Sequence, residues 1–341
     1  MKHGKALGIS EAIFKEYVKE YFLKSLISYP DNYLNLIFSH IIEVQKHLAY
    51  LCPLCVKNCI YYDDQVKLVT TTPFSLDHYP AKNSGGGKTM LVCKSCNSEA
   101  GHDYDHALKK HVSFLSFSNR IPNSKIASTT SIKDVSGFYR GYLKIDNDGT
   151  TEVSFKSEAN FKVPVLDDLL MELKRDVNLT FKTPDETKVQ KALLHAAYLY
   201  CFEYFGYQFV FSPAGDLIRD ILNGTNEYPV SVLDINVDNE VAVNQLPTGL
   251  CFISKPTELQ SLVVNIKLVE KDTKYTCIKT VLIQNPTDTG IEDLKHTANL
   301  LKAHLGNVDI VPLKNLRALE NANPYFEMWA LLQREYKTIR G

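Results

Sequence analysis

Four cysteines stand in two short pairs, Cys52-Pro-Leu-Cys55 and Cys93-Lys-Ser-Cys96. Each pair can wrap two thiolates around one cation. Two such pairs can close a tetrahedral site however far apart they lie in the chain. The chemistry this points to is a structural zinc ion, with Cys59 close enough to replace Cys55 as a ligand. Between the pairs stand Asp77, His78 and a glycine run; beyond the second pair stand Asn97, His102, Asp105 and His106. Carboxylate, amide and imidazole groups of this kind can hold a hard divalent cation and move a proton near neutral pH.

The glycine run, "NSGGGKTM" at 83–90, ends like a nucleotide-binding loop. That loop needs G-x-x-x-x-G-K-[ST] between a strand and a helix. The first glycine of the pattern falls on Lys82, and "MLVCKSC" reads as a strand entering the second cysteine pair. ATP binding is therefore not expected. The glycines instead let the backbone turn tightly where a Cβ would clash, bringing Cys93 and Asn97 back beside the strand that carries Asp77 and His78.

The order Cys52-x-x-Cys55, Asp77-His78-x-Pro80, Gly86-Gly87-Lys88, Cys93-x-x-Cys96-Asn97, Gly101-x-x-x-Asp105 resembles the HNH, or ββα-metal, endonucleases in their zinc-braced form. The resemblance covers Cys52 to Asp105. It implies a metal-dependent endonuclease that hydrolyses phosphodiester bonds in DNA, leaving 5′-phosphate and 3′-hydroxyl ends; RNA stays open as a substrate. It makes His78 the general base, and Asp77 and Asn97 oxygen ligands of a catalytic Mg²⁺ or Mn²⁺ beside the structural Zn²⁺. For the remaining ligand, His106 has the spacing from Asn97 found in some members. The Gly-x-x-x-Asp form points to Asp105, and His102 shares a helix face with His106. Lys88 stands where many members carry the middle Asn and could contact a phosphate of the substrate. Lys82, Lys94, Lys109 and Lys110 could line a phosphate path. The stretch "YFGYQFVFSPAGDLIRDIL" faintly resembles segments that follow such nuclease modules in phage and bacterial proteins; a further reading is a nuclease working with a protein partner inside a larger phage-defence or mobile-element complex, gated by residues 113–341. The alternative function is a non-catalytic zinc module that binds nucleic acid or protein.

The elements that must position these groups read as an α+β chain. Residues 1–50 predict an N-terminal helical segment, from the stripe Ile13, Phe14, Tyr17, Val18, Tyr21 and Phe22 and a second helix from about Asp31 to Leu48. Residues 51–112 read as a small domain with too little apolar core to stand without a metal, which the resemblance makes a zinc-braced ββα-metal nuclease domain. "QVKLVTT" and "PFSLDHY" are its expected strands and Asn97 to Val112 its helix. Residues 113–341 read as a larger mixed α+β domain serving specificity, partner binding or regulation. It has a hairpin around Asn147-Asp148-Gly149. Its central helix starts at a Thr183 N-cap, with Pro184 first and Glu186 closing a capping box, and stops at Gly206. A shorter helix spans about 213–223. Strands follow in "PVSVLDINV", "GLCFIS", "SLVVNIKLV" and "CIKTVLIQN", then helices near 291–305 and 324–338 separated by "NVDIVPL". His195 and Arg219 read as packing residues.

The whole chain of 341 residues carries a formal net charge of −1 and is 45% hydrophobic and 23% charged. Those fractions are ordinary for a globular protein. No global basic field marks it for nucleic acid, although a local groove can be basic while the rest compensates. No apolar run is long enough to span a membrane, and no secretory leader is expected. Of the eight cysteines, four sit in the pairs. This usage suits a reducing cytoplasm, where paired cysteines bind metal rather than form disulfides.

Overall fold

A computed structural model describes residues 49–62, 68–70, 72–132, 139–155, 177–205, 207–210, 212–224, 232–233, 246–255, 261–283, 299 and 309–312. The expected helices of residues 1–48, and those near 291–305 and 324–338, fall outside the described residues, apart from residue 299. The described chain is mixed α+β, as expected from the sequence, with four antiparallel sheets and a handful of helices.

The first sheet is small: β1 (Ala49–Leu51), β2 (Cys59–Tyr62) and β3 (Leu68–Thr70) in that order. Next comes a hairpin of β4 (Phe74–Tyr79) and β5 (Lys88–Cys93), with Asp77 opposite Met90 and His78 opposite Thr89. This corrects the expected strand pair. "QVKLVTT" contributes β3 to the other sheet, and the partner of "PFSLDHY" lies after the glycine loop. Both candidate strands are short and apolar, so periodicity alone could not choose between them.

The connection between β4 and β5 explains the glycines. After a cis Tyr79-Pro80 peptide, Lys82–Ser84 form one 3-10 turn, and Gly85 takes φ +95°. A Cβ on Gly86 would lie 1.6 Å from the Pro80 carbonyl oxygen, so no side chain fits there. Gly85 packs on Val269, which ties the turn to the distant C-terminal sheet.

From β5 the chain runs into α1 (Lys94–Ala100), a π-type turn over Gly101–Asp105, and α2 (His106–Ser118). The expected helix thus begins earlier and runs six residues past Val112, so the boundary drawn at 112/113 falls inside α2. A four-stranded sheet comes next in the order β8-β7-β6-β9, from β6 (Lys125–Ile132), β7 (Tyr139–Ile145), β8 (Thr151–Phe155) and β9 (Val177–Thr180). Its β7–β8 hairpin turns at Gly149, φ +82°, as Asn-Asp-Gly predicts.

Helix α3 (Glu186–Phe205) is the hub of the fold. Every residue from Ala192 to Phe202 is buried, as a helix apolar on all sides must be. Its cap differs from expectation: the Asp185 carboxylate, not Thr183, accepts the Lys188 backbone N–H at 3.2 Å. Helices α4 (Tyr207–Val210) and α5 (Pro213–Leu222) pack behind it. Arg219 of α5 donates to the Tyr198 hydroxyl at 2.9 Å and pairs with Asp216, the packing role expected of it. The last sheet has the order β10-β13-β12-β11-β14, from β10 (Val232–Leu233), β11 (Gly249–Lys255), β12 (Ser261–Val269), β13 (Thr276–Ile283) and β14 (Asp309–Pro312). The β14 strand lies in "NVDIVPL", taken from sequence as a helix separator.

One buried cluster links Leu51, Cys93 and Leu108 of the 51–112 segment to Leu199, Val264 and Ile283. The expected small domain therefore shares its core with α3 and the C-terminal sheet. Among the described residues, no helix is long and apolar enough to cross a membrane.

Candidate functional site

The two cysteine pairs meet. The sulfurs of Cys52, Cys55, Cys93 and Cys96 all lie within 4.8 Å of one another, and Cys59, buried on β2, is not one of them. Four thiols so close can hold a metal ion such as zinc. Donors already converge on the sulfurs: the Cys93 backbone N–H reaches Cys52 at 3.4 Å, and Asn58 Nδ2 reaches Cys55 at 3.6 Å. The Cys52 hydrogen bond lowers the Cys55 thiol to about 6. Hydrogen bonds from Cys52 and its neighbours hold Cys93 far below the usual thiol range. Burial pushes Cys52 up, and bonds from the other thiols push Cys96 up. Thiols this close share their protons, and binding of a divalent cation would release them. Tyrosine anchors fix the frame: Tyr50 donates to the Leu91 carbonyl and Tyr198 of α3 to the Pro53 carbonyl, each at 2.7 Å.

Beside this centre lies a cavity of about 330 Å³ lined by Asp77, His78, Asn97, Asp105, His106 and Lys109 among others. Asn97, Gly101, Asp105 and Lys109 reach it from successive turns of the α1–π–α2 run, four residues apart. His78 is half-buried and takes no hydrogen bond from a described residue. Asn97 Nδ2 donates to Ser75 Oγ at 2.9 Å and to the Leu76 carbonyl at 3.0 Å. The amide thereby pins α1 to β4, and its Oδ1 takes no bond from a described residue. Lys82 and Lys109 of the expected phosphate path line the cavity as well.

Asp77 is 3% exposed, and its Oδ2 lies 3.2 Å from His195 Nε2 on α3. The contact is an ion pair by distance but is misaligned, so neither atom has a hydrogen-bond partner. Burial pulls the His195 pKa down, the Asp77 carboxylate pulls it up, and the net shift is upward. Burial raises Asp105 to about 6, with His195 opposing and Asp77 reinforcing the rise. Tyr104 packs its ring 5.4 Å from the His195 ring. His195, read from sequence as a core residue, is thus buried but faces the cavity's carboxylate. The one signal for it was a lone imidazole in an otherwise apolar stretch, which must find a polar partner.

Two expected residues lie elsewhere. Lys88 is held by Glu203 of α3 at 2.6 Å and sits 5.0 Å from the Tyr200 ring centroid; it does not line the cavity. His102 faces a separate groove, which His106 and Lys109 share with the cavity. Among the described residues, the four cysteines are the one His/Cys/Asp/Glu group whose ligand atoms converge within 4.8 Å. Asp77, Asp105 and His106 line one space without that convergence.

Compared with known proteins, the chain matches no family, no curated sequence and no solved structure.

Proposed function

We propose that the chain is a metal-dependent endonuclease of the HNH type that hydrolyses phosphodiester bonds in DNA. The observation that carries this reading is the shared cavity. Asp77, His78, Asn97 and Asp105, which the motif order singled out, line one space of about 330 Å³ beside the four-thiol centre.

The donor set fits a hard cation: the Asp77 carboxylate lines the cavity with its Oδ2 toward His195, and Asn97 keeps its Oδ1 open while Nδ2 pins the strand. Asp77, Asn97 and one of Asp105 or His106 would hold Mg²⁺ or Mn²⁺, with His102 displaced to the groove. When bound, such an ion supplies charge stabilisation for the phosphate and the departing oxygen. His78 takes the proton of the attacking water. Asn97 keeps α1 against β4, so the base and the oxygen ligands hold their spacing. His195 holds Asp77 from behind, in the manner of an outer partner that orients a ligand. Cys52, Cys55, Cys93 and Cys96 would hold the structural zinc, which would fix the start of α1. A cytoplasmic setting and a partner in a defence or mobile-element complex belong to the same proposal and rest on the motif resemblance and the cysteine usage.

The test is cleavage of supercoiled plasmid with and without Mg²⁺ or Mn²⁺. Cutting that requires the added ion and disappears in His78→Ala supports the reading; a protein that retains zinc yet never cuts sinks it. One observation favours the second reading, a non-catalytic zinc module that binds nucleic acid or protein: the carboxylates and imidazoles do not converge as the thiols do. That reading predicts binding without cutting under any metal.

A further inference from the structure

We infer that the groove beside the cavity is a binding site for a single strand of nucleic acid, built largely from parts of the chain beyond the nuclease motif. Its place relative to the cavity rests on the nuclease reading above. The groove has a volume of about 980 Å³ and runs between α2 and the β8-β7-β6-β9 sheet. His106 and Lys109 line both spaces, so a strand lying in the groove leads directly to His78 and Asp77.

Charge is the first argument. Lys109, Lys110, Lys125, Arg140, Lys182 and Lys188 line the groove, against two carboxylates, Asp103 and Asp185. The whole chain carries 38 basic and 39 acidic residues, so this is a strong local excess on a near-neutral protein. Asp185 is already engaged with the first turn of α3. Lys110, Lys125 and Lys182 are exposed and form no ion pair with a described residue. A row of free ammonium groups along one groove is what a phosphate backbone neutralises.

The second argument is aromatic. Phe181 lines the same groove, is 44% exposed, and is backed by Phe114, whose ring centroid lies 6.1 Å away. It follows β9 at the edge of the described sheet. An exposed ring beside a cationic track is a platform for an unpaired base, and a duplex offers no base face to stack on it. The combination therefore points to a single strand, DNA or RNA, rather than to a double helix.

The experiment measures fluorescence anisotropy of labelled single-stranded DNA, single-stranded RNA and duplex DNA of equal length. It uses zinc-loaded full-length protein without added Mg²⁺ or Mn²⁺, over a range of salt. The site predicts tighter binding of single strands than of duplex. The triple variant Lys110→Glu, Lys125→Glu, Lys182→Glu should lose at least about 30-fold in single-strand affinity, with a salt slope shallower by about 2. Phe181→Leu should lose about tenfold at an unchanged slope, and Phe181→Trp should restore binding. All of these substitutions are at exposed positions, and circular dichroism checks the fold. Wild-type affinity in the triple variant, no binding of single strands by wild type, or duplex binding that depends equally on Phe181 would overturn the inference. DNA and RNA bound alike places recognition on backbone and base faces; a preference for one names the natural strand. The two readings fail separately. Metal-dependent cutting with an idle groove removes the groove alone, whereas groove-dependent binding without cutting removes the nuclease alone.

Discussion

The four-thiol centre and the Asp77–His78 cavity lie side by side, yet they are built in opposite ways. In the first, all four ligand atoms converge within 4.8 Å, with backbone and Asn58 donors around them. In the second, Asp77 faces His195, Asn97 pins a strand, and Asp105 and His106 approach from the next helix without converging. The difference lies in where each site's geometry is specified. Two residues within each knuckle set the thiol positions locally. The cavity depends on a helix that arrives far later in the chain, and it holds a buried pair, Asp77 and His195, with the Asp105 carboxylate as neighbour. The first region is built to close; the second keeps room beside a base.

The comparison breaks most visibly at the cysteines. Cys93→Ser should abolish zinc by elemental analysis and unfold the shared core, because structural zinc supplies about 10 kcal/mol or more. Cys59→Ser should keep a full zinc equivalent, and loss of zinc there would reassign the ligand set. Next in size, His195→Ala leaves the Asp77 carboxylate buried and unpaired, which costs about 3–5 kcal/mol in denaturant unfolding. Asp77→Asn in that background should recover part of the loss. If His195→Ala unfolds no earlier than wild type, the pair is idle.

A smaller effect separates His195 from Asp105 by pH. The raised His195 pKa means that the pair's stabilisation is fully present below the ordinary imidazole value of 6.5 and drains as pH rises through the folded value. Asp105 is an acid raised from 3.8 to about 6, so the native state holds a proton there that the unfolded chain has released. Its cost is absent below about pH 4 and complete above about pH 6. Asp105→Asn should therefore stabilise the protein by on the order of 1–2 kcal/mol at pH 7, with the gain vanishing near pH 4. Thermal melts across that range give the answer, and a pH-independent gain would contradict the burial argument. Smallest of all, Glu203→Gln should cost about 1 kcal/mol or less, because Lys88 is substantially exposed and the pair is screened.

What could be read from the chain divides along the same line. The cysteine pairs and the Gly86 turn were legible because their constraints are local: two residues between thiols, and a backbone approach that admits no Cβ. The Asn-Asp-Gly hairpin, the apolar helix and the 213–222 helix were legible for the same reason. The strand pairing of β4 was not, since β3 and β5 have similar composition and the choice is made by the turn after Pro80. The cap of α3 moved from Thr183 to Asp185 because both residues can cap, and the backbone entry decides between them. His195 was hidden by its apolar surroundings. Lys88 of β5 looked available until Glu203 came beside it from α3. The groove cations Lys125, Arg140 and Lys182 are scattered in sequence and become neighbours only when β6, β7 and the end of β9 form one sheet.

The most direct test of the central claim is the rate of plasmid cleavage with Mg²⁺ by wild type and His78→Ala at equal zinc content and equal melting temperature. The account predicts metal-dependent cutting by wild type and a loss of at least about 100-fold in the variant, the contribution of a positioned base. Equal rates in the two proteins would contradict it.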